Sequence, residues 1–161
     1  MKSYRNLCLT ALFAALTAAG AFLRIPAPGM PITLQFFFTL TAGLLLGPKW
    51  GAASQALYLL LGLLGLPVFT MGGGFSYVLQ PGFGFLLGLV PAAAVAGFLR
   101  KKPFLACLGA WATLYAVGLP YLYLLLQSMT ITGVLLLLPG DILKIIAAGL
   151  LAPKVQKAIN R

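Results

Sequence analysis

One acidic and one basic residue stand three positions apart in an otherwise apolar segment near the end of the chain. Asp141 is the only acidic residue among 161 residues, and Lys144 follows it within the run LLLLPGDILKIIAAG, residues 135 to 149. Residues at this spacing share one face of a helix. Together they offer a negatively charged acceptor and a cationic donor, which suits a small ligand with N–H donors and a carboxylate.

The composition indicates an integral membrane protein with a single transmembrane domain over residues 1–161. Hydrophobic residues make up 61% of the chain and charged residues 7%, whereas about a quarter of residues are charged in soluble domains. A charged side chain at the centre of a membrane helix costs roughly 2.5–3.5 kcal/mol on insertion. We therefore expect Asp141 and Lys144 to face the protein interior and bind a ligand; the alternative is that they only neutralise each other.

Prolines, glycines and charged residues divide the chain into six apolar segments. They run over residues 6–23, 33–47, 50–66, 82–99, 103–127 and 139–152. Because a crossing needs about 17–25 helical residues, the second and sixth are short, and residues 129–138 are a candidate re-entrant or interfacial piece. We predict an all-α integral membrane fold with six transmembrane helices, the last beginning at Pro139 so that its dipole supports the charged pair.

The basic residues predict that both termini are cytoplasmic. With six crossings and the N-terminus inside, nine of the eleven Lys and Arg residues lie in the cytoplasm, Arg24 lies outside and Lys144 within the membrane. This distribution follows the preference of Lys and Arg for cytoplasmic loops. It also accounts for the net charge of +10 without nucleic acid, which we do not expect as a partner.

The two longer outer connections are rich in Gly and Pro and predict a ligand pocket on the outer side. Irregular backbone near membrane depth is tolerated where it is buried in protein or lines a cavity. Neutral polar side chains can fix a ligand there by hydrogen bonds. Besides Asp141 and Lys144, the candidate ligand-binding residues are Thr33, Gln35, Gln55, Tyr58, Gly73, Gly74, Tyr77 and Gln80. For Gln55, nearer the cytoplasmic end, helix packing is an equal alternative.

A stripe of small residues on the first segment allows another helix to approach closely. Ala11, Ala15 and Ala19 recur every four residues. Two interpretations stay open, internal packing and a docking face for a separate membrane subunit. A similar stripe lies on the fourth segment, at Gly84, Gly88, Ala92 and Ala96.

Several absences argue against an enzyme. The sequence has no Walker A motif, no histidine and no second acidic residue, so ATP hydrolysis by a P-loop, metal catalysis and general acid–base catalysis have no residues to perform them. Cys8 and Cys107 are far apart and lie in apolar runs. We expect no metal and no cofactor.

Three stretches resemble the BioY family, the biotin-specific substrate-binding (S) subunits of energy-coupling factor (ECF) transporters. They are MPITLQFFFTLTAGLLLGPKWGAASQALYLLLGLLGLPVF, GGGFSYVLQPGFGFLLGLVPAA and LPGDILKIIAAGLLAP. The resemblance implies six transmembrane helices and biotin bound near the outer face, beneath the loop that joins the first two. Asp141 and Lys144 match the family's G-D-x-x-K motif and carry over as ligand-binding residues, whereas Gln80 stands where the family often has Asn or Gly.

The resemblance also implies a location and partners. The protein would be a multi-pass protein of the prokaryotic plasma membrane, in contact with the lipid bilayer. The alanine stripe matches the family's docking motif for a transmembrane coupling subunit, which in turn binds two ATPase subunits. The alternatives are an S component for another vitamin and a ligand-free structural membrane subunit.

Overall fold

The computed structural model describes residues 2–26, 31–126 and 131–159, which are almost entirely helical. Six α-helices lie within these residues: α1 (Lys2–Phe22), α2 (Gln35–Leu46), α3 (Pro48–Leu63), α4 (Phe83–Phe98), α5 (Pro103–Leu126) and α6 (Ile131–Ile159). Two short strands, β1 (Arg24–Ile25) and β2 (Ile32–Thr33), pair antiparallel between α1 and α2. A 3₁₀ helix (Phe75–Leu79) interrupts the connection between α3 and α4.

The helices follow the predicted segments except at the last one. The prediction that it begins at Pro139 is wrong, because α6 begins at Ile131 and continues through Pro139 and Pro153. Proline is tolerated inside membrane helices, where neighbouring groups satisfy the freed backbone atoms. Residues 131–138 are therefore helical rather than a separate re-entrant piece, while 129 and 130 lie outside the described residues. Asp141 consequently does not sit at a helix N-terminus, and a helix dipole adds nothing to its charge.

Helix α4 lies at the centre of the bundle and packs against α2, α3 and α5. Small residues allow these close contacts. A side chain added at Gly43 of α2 would lie 2.4 Å from the carbonyl oxygen of Ala93, and one at Gly84 would lie 2.3 Å from Cβ of Tyr121 on α5. The stripe on α4 therefore serves internal packing, as the complete burial of Ala92 and Ala96 also shows.

The bundle buries a charged pair and exposes many large apolar side chains. On α6, Asp141 is only 5% exposed, whereas Leu143 is 69% exposed. Contiguous exposed apolar surface is unfavourable in water but favourable against lipid. Two helices, Tyr4–Phe22 and Pro103–Leu125, are long and apolar enough to cross a membrane, and α2 and α4 are shorter apolar helices.

The strand pair and the connection between α3 and α4 cover one end of the bundle. Arg24 Nη1 on β1 donates a hydrogen bond of 2.6 Å to the carbonyl oxygen of Thr70 in that connection. Phe69 of the same connection is fully buried, and its ring stacks edge-to-face on Tyr58 of α3 at 5.5 Å. These contacts fix two irregular segments side by side. At the opposite end, the α2–α3 turn packs against α4, since a side chain at Gly97 would lie 2.3 Å from the backbone nitrogen of Pro48.

The α2–α4 contact gives a first prediction. Gly43→Ala forces a methyl group against a backbone oxygen that cannot move alone, so we expect a loss of about 1–3 kcal/mol in stability. The measurement is the apparent melting temperature of the detergent-purified protein. Gly109→Ala is the matched control, because its methyl group would meet only the ends of Val95 and Leu99 side chains. Equal melting temperatures for both variants would contradict the prediction.

Candidate functional site

A cavity of about 140 Å³ lies beneath the covered end of the bundle. Its wall combines segments that are far apart in the sequence, namely β2, α2, the α3–α4 connection, and helices α4, α5 and α6. Apolar side chains form one side, among them Phe36, Phe85, Leu86 and Leu114. Such a cavity, mostly apolar with a few convergent polar groups, is the usual form of a small-molecule site.

Asp141 and Lys144 both line this cavity and contact each other. Lys144 Nζ lies 2.8 Å from Asp141 Oδ1, and both side chains are more than nine-tenths buried. The other carboxylate oxygen, Oδ2, accepts a hydrogen bond of 2.7 Å from the Tyr115 hydroxyl. The carboxylate is therefore held by two donors on α5 and α6, which fixes its position at the cavity wall.

Thr33 and Gln35 line the same cavity from β2 and the start of α2. The Thr33 hydroxyl donates to Gln35 Oε1 at 2.9 Å, and Gln35 Nε2 donates to the Tyr58 hydroxyl at 2.6 Å. Tyr58 in turn donates to the carbonyl oxygen of Val68 at 3.1 Å. Gln35 thus connects the cavity wall to the α3–α4 connection, while Tyr58 lies behind it and does not line the cavity.

Tyr77 and Gln80 line the cavity from the 3₁₀ helix and the residue that follows it. Tyr77 packs its ring 4.7 Å from that of Phe69. Burial raises the pKa of the Tyr77 phenol above its usual value, so the hydroxyl stays protonated and can donate a hydrogen bond. Gln80 is exposed and forms part of the cavity rim.

Three other predicted site residues do not line the cavity. A side chain at Gly73 would lie 2.0 Å from the carbonyl oxygen of Leu66, and Gly74 has φ +103° and donates its N–H to the Gly62 carbonyl at 2.7 Å. These two glycines let the α3–α4 connection pack on the end of α3. Gln55 lies deeper in the bundle and donates to Thr17 Oγ1 of α1 at 3.2 Å, in keeping with the packing alternative.

The alanine stripe of α1 faces away from the bundle. Ala11, Ala15 and Ala19 are exposed, whereas the neighbouring Ala14 is buried. The stripe is therefore not used for packing within the described part of the chain. Its role as a docking face stays a prediction.

Sequence reasoning missed Tyr115, which binds the carboxylate, and Thr70, which lines the cavity. A tyrosine within an apolar helix needs a partner for its hydroxyl, and this requirement was the available signal for Tyr115. Thr70 stands in an irregular connection, where no periodicity places a side chain. Within the described ranges, no three metal-ligating side chains come together.

Comparisons with known proteins agree with one another. A model of the BioY family matches residues 1–161. The chain is 42% identical to a probable biotin transporter BioY of Lysinibacillus sphaericus, covering 99% of this chain and 90% of the relative. It is 32% identical to the biotin transporter BioY of Thermotoga maritima, covering 95% of this chain and 96% of that relative.

A solved structure extends the similarity to three dimensions. The crystal structure of the S-component for biotin from an ECF-type ABC transporter superposes with a TM-score of 0.87 at 28% identity, covering 97% of this chain and 93% of that one. A family match over the entire sequence, relatives of nearly equal length and a shared helical arrangement lead to one conclusion: this chain belongs to the BioY family.

Proposed function

We propose that the protein is the biotin-binding S component of an ECF-type transporter. Its relatives are named biotin transporters, and the similar solved structure is an S component for biotin. The observation that carries the proposal is a cavity that presents both a buried carboxylate and a buried ammonium group in a chain of this family. The protein is a transporter subunit rather than an enzyme.

Biotin matches the chemistry of the cavity. Its ureido ring carries N–H donors, its valerate chain ends in a carboxylate, and an apolar body lies between them. We propose that Asp141 accepts from the ureido group and that Lys144 binds the carboxylate. Since these ligand groups are separated by many bonds, the 2.8 Å contact between Nζ and Oδ1 must open on binding. The Tyr115 hydroxyl then keeps the carboxylate of Asp141 in place while the lysine moves.

The proposed membrane arrangement follows the distribution of charge. Six helices cross the plasma membrane, both termini lie in the cytoplasm, and the cavity opens toward the outside beneath the strand pair. The basic turns then face the cytoplasm, as Lys and Arg prefer. We further propose that the exposed alanines of α1 dock on a transmembrane coupling subunit, and that two ATPase subunits bound to it drive import.

The charged pair gives a prediction that separates binding from folding. Lys144→Ala and Asp141→Asn are each expected to weaken biotin binding by more than about tenfold, or ~1.4 kcal/mol, because each removes one of the two polar partners of the ligand. Isothermal titration after ligand removal measures the affinity, and the apparent melting temperature measures folding. Lys144→Ala also leaves a buried charge unpaired, which destabilises the fold.

The double variant Asp141→Asn/Lys144→Met is the control for that destabilisation. Replacing both charges removes the unpaired group, so we expect the melting temperature to recover while biotin binding stays lost. If the double variant recovers both stability and affinity, the pair is purely structural. Competition with other vitamins in the same titration tests the choice of ligand.

An analogue of biotin without its carboxylate tests which end of the ligand each charged residue binds. Biotin amide replaces the carboxylate with a neutral group, so it should bind the wild type about tenfold or more weakly than biotin does. If Lys144 binds the carboxylate, Lys144→Ala should discriminate little between biotin and its amide, whereas Asp141→Asn should keep the wild-type preference. If Asp141→Asn loses the preference for biotin over its amide and Lys144→Ala keeps it, the carboxylate of biotin binds near Asp141 instead.

The docking face gives a prediction for transport. Ala15→Leu adds bulk at the centre of the exposed stripe, so we expect uptake of labelled biotin to fall at least about fivefold when a close helix contact is blocked. Biotin binding by the purified protein should not change. Ala112→Leu, at an exposed position of α5, is the matched control and should retain uptake. Equal uptake in both variants would remove the stripe from the proposed interface.

A further inference from the structure

A second cleft, of about 440 Å³, lies at the opposite end of the bundle from the biotin cavity. It lies between the end of α2, the α4–α5 turn and the last turns of α6. Its polar lining consists of Arg100, Lys101 and Gln156, and its apolar lining includes Leu44, Pro103 and Ala152. The cleft is therefore lined by both basic and apolar side chains.

The position of Arg100 is set by the α2–α3 turn. Gly47 has φ +84°, and a side chain added there would lie 3.2 Å from Arg100 Nη1. The guanidinium group consequently lies close over a glycine that connects two helices. Arg100 is exposed, so its charge is available at the cleft beside this turn.

The charge of this cleft cannot be neutralised by carboxylate side chains of the protein itself. The whole sequence has eleven Lys and Arg residues and one acidic residue. That residue, Asp141, is bound to Lys144 at the other end of the bundle. Around the cleft, further exposed cations add to the same field, at Lys49, Lys102, Lys154 and Lys157. The cleft thus attracts an anion from outside the chain.

The position and the lining of the cleft indicate which anion it binds. It opens where helices begin and end, which is the level of the lipid headgroups if these helices cross the membrane. Basic pockets between transmembrane helices at this level bind anionic headgroups. The apolar lining residues can accommodate the glycerol and the first methylene groups of a lipid, whereas a soluble anion or an acidic protein surface gains nothing from them.

We infer that this cleft binds the phosphate headgroup of an anionic phospholipid, with Arg100 and Lys101 as the phosphate ligands and Gln156 as an additional donor. The inference rests on the membrane placement of the proposed function but not on its ligand. A headgroup held here contacts the end of α2, the α4–α5 turn and the last turns of α6 together, and it anchors this end of the bundle at the membrane surface.

The test measures lipids retained by the purified protein. Native mass spectrometry would count bound cardiolipin and phosphatidylglycerol against phosphatidylcholine. We expect Arg100→Gln/Lys101→Gln to lower retention of the anionic lipids about tenfold or more, while phosphatidylcholine does not change. The charge-preserving variant Arg100→Lys/Lys101→Arg should retain them. The matched control Lys2→Gln/Arg5→Gln removes the same charge from α1, which contributes none of the residues that line the cleft, and should also retain them.

Four results would overturn the inference. The first two are unchanged lipid retention in Arg100→Gln/Lys101→Gln and an equal loss of lipid in the matched control. The third is displacement of the lipid by inorganic phosphate at equal concentration. The fourth is that Arg100→Gln/Lys101→Gln retains lipid but loses transport with the partner subunits. The last would assign the cleft to an acidic protein surface. Biotin titration of the same samples keeps the two proposals separate, because a wild type that binds no biotin refutes the proposed function and leaves the lipid measurement intact.

Discussion

The buried contact between Asp141 and Lys144 is the constraint on which the arrangement of the bundle depends. Two charges inside an apolar bundle are costly unless each has a partner, and here each has the other, with the Tyr115 hydroxyl as a second donor to the carboxylate. The pair fixes the rotation of α6, because Leu143 on the same helix must then face outward. It also fixes the contact of α6 with α5. The same groups that stabilise this helix pair are the charged wall of the cavity.

Sequence alone predicted the apolar segments, their order and the common face of Asp141 and Lys144, because these follow from hydropathy and helical periodicity. The prediction of where the last helix begins, at Pro139, was wrong. A proline preceded by apolar residues was interpreted as a helix start, but packing within the bundle lets α6 continue through it. Local sequence contains no information about whether neighbouring helices will satisfy a freed backbone group, so such boundaries depend on tertiary structure.

The candidate site was predictable only in part, for a related reason. Thr33, Gln35, Tyr77 and Gln80 meet Asp141 and Lys144 at one cavity, and residue type together with an outer position was sufficient to select them. The glycines of the α3–α4 connection were selected by the same criteria but serve close packing against α3. Two similar stripes of small residues likewise differ in their surroundings, since that of α4 is buried and that of α1 is exposed. Spacing identifies a stripe, whereas only the fold determines what it faces.

Two networks of side-chain hydrogen bonds reach the wall of the cavity. One runs from Thr17 of α1 through Gln55 and Thr39 to Gln35 and Tyr58, and so joins α1, α2, α3 and the covering segments. The other joins α5 and α6 through Tyr115, Asp141 and Lys144. Among the described side chains, the Tyr121 hydroxyl of α5 makes the one hydrogen bond between these two halves, which it donates to the carbonyl oxygen of Val78 in the α3–α4 connection. A ligand bonded to both networks would cross-link two halves of the protein. Its binding free energy would then add to the stability of the bundle, and its contacts would restrict the motion of one half relative to the other.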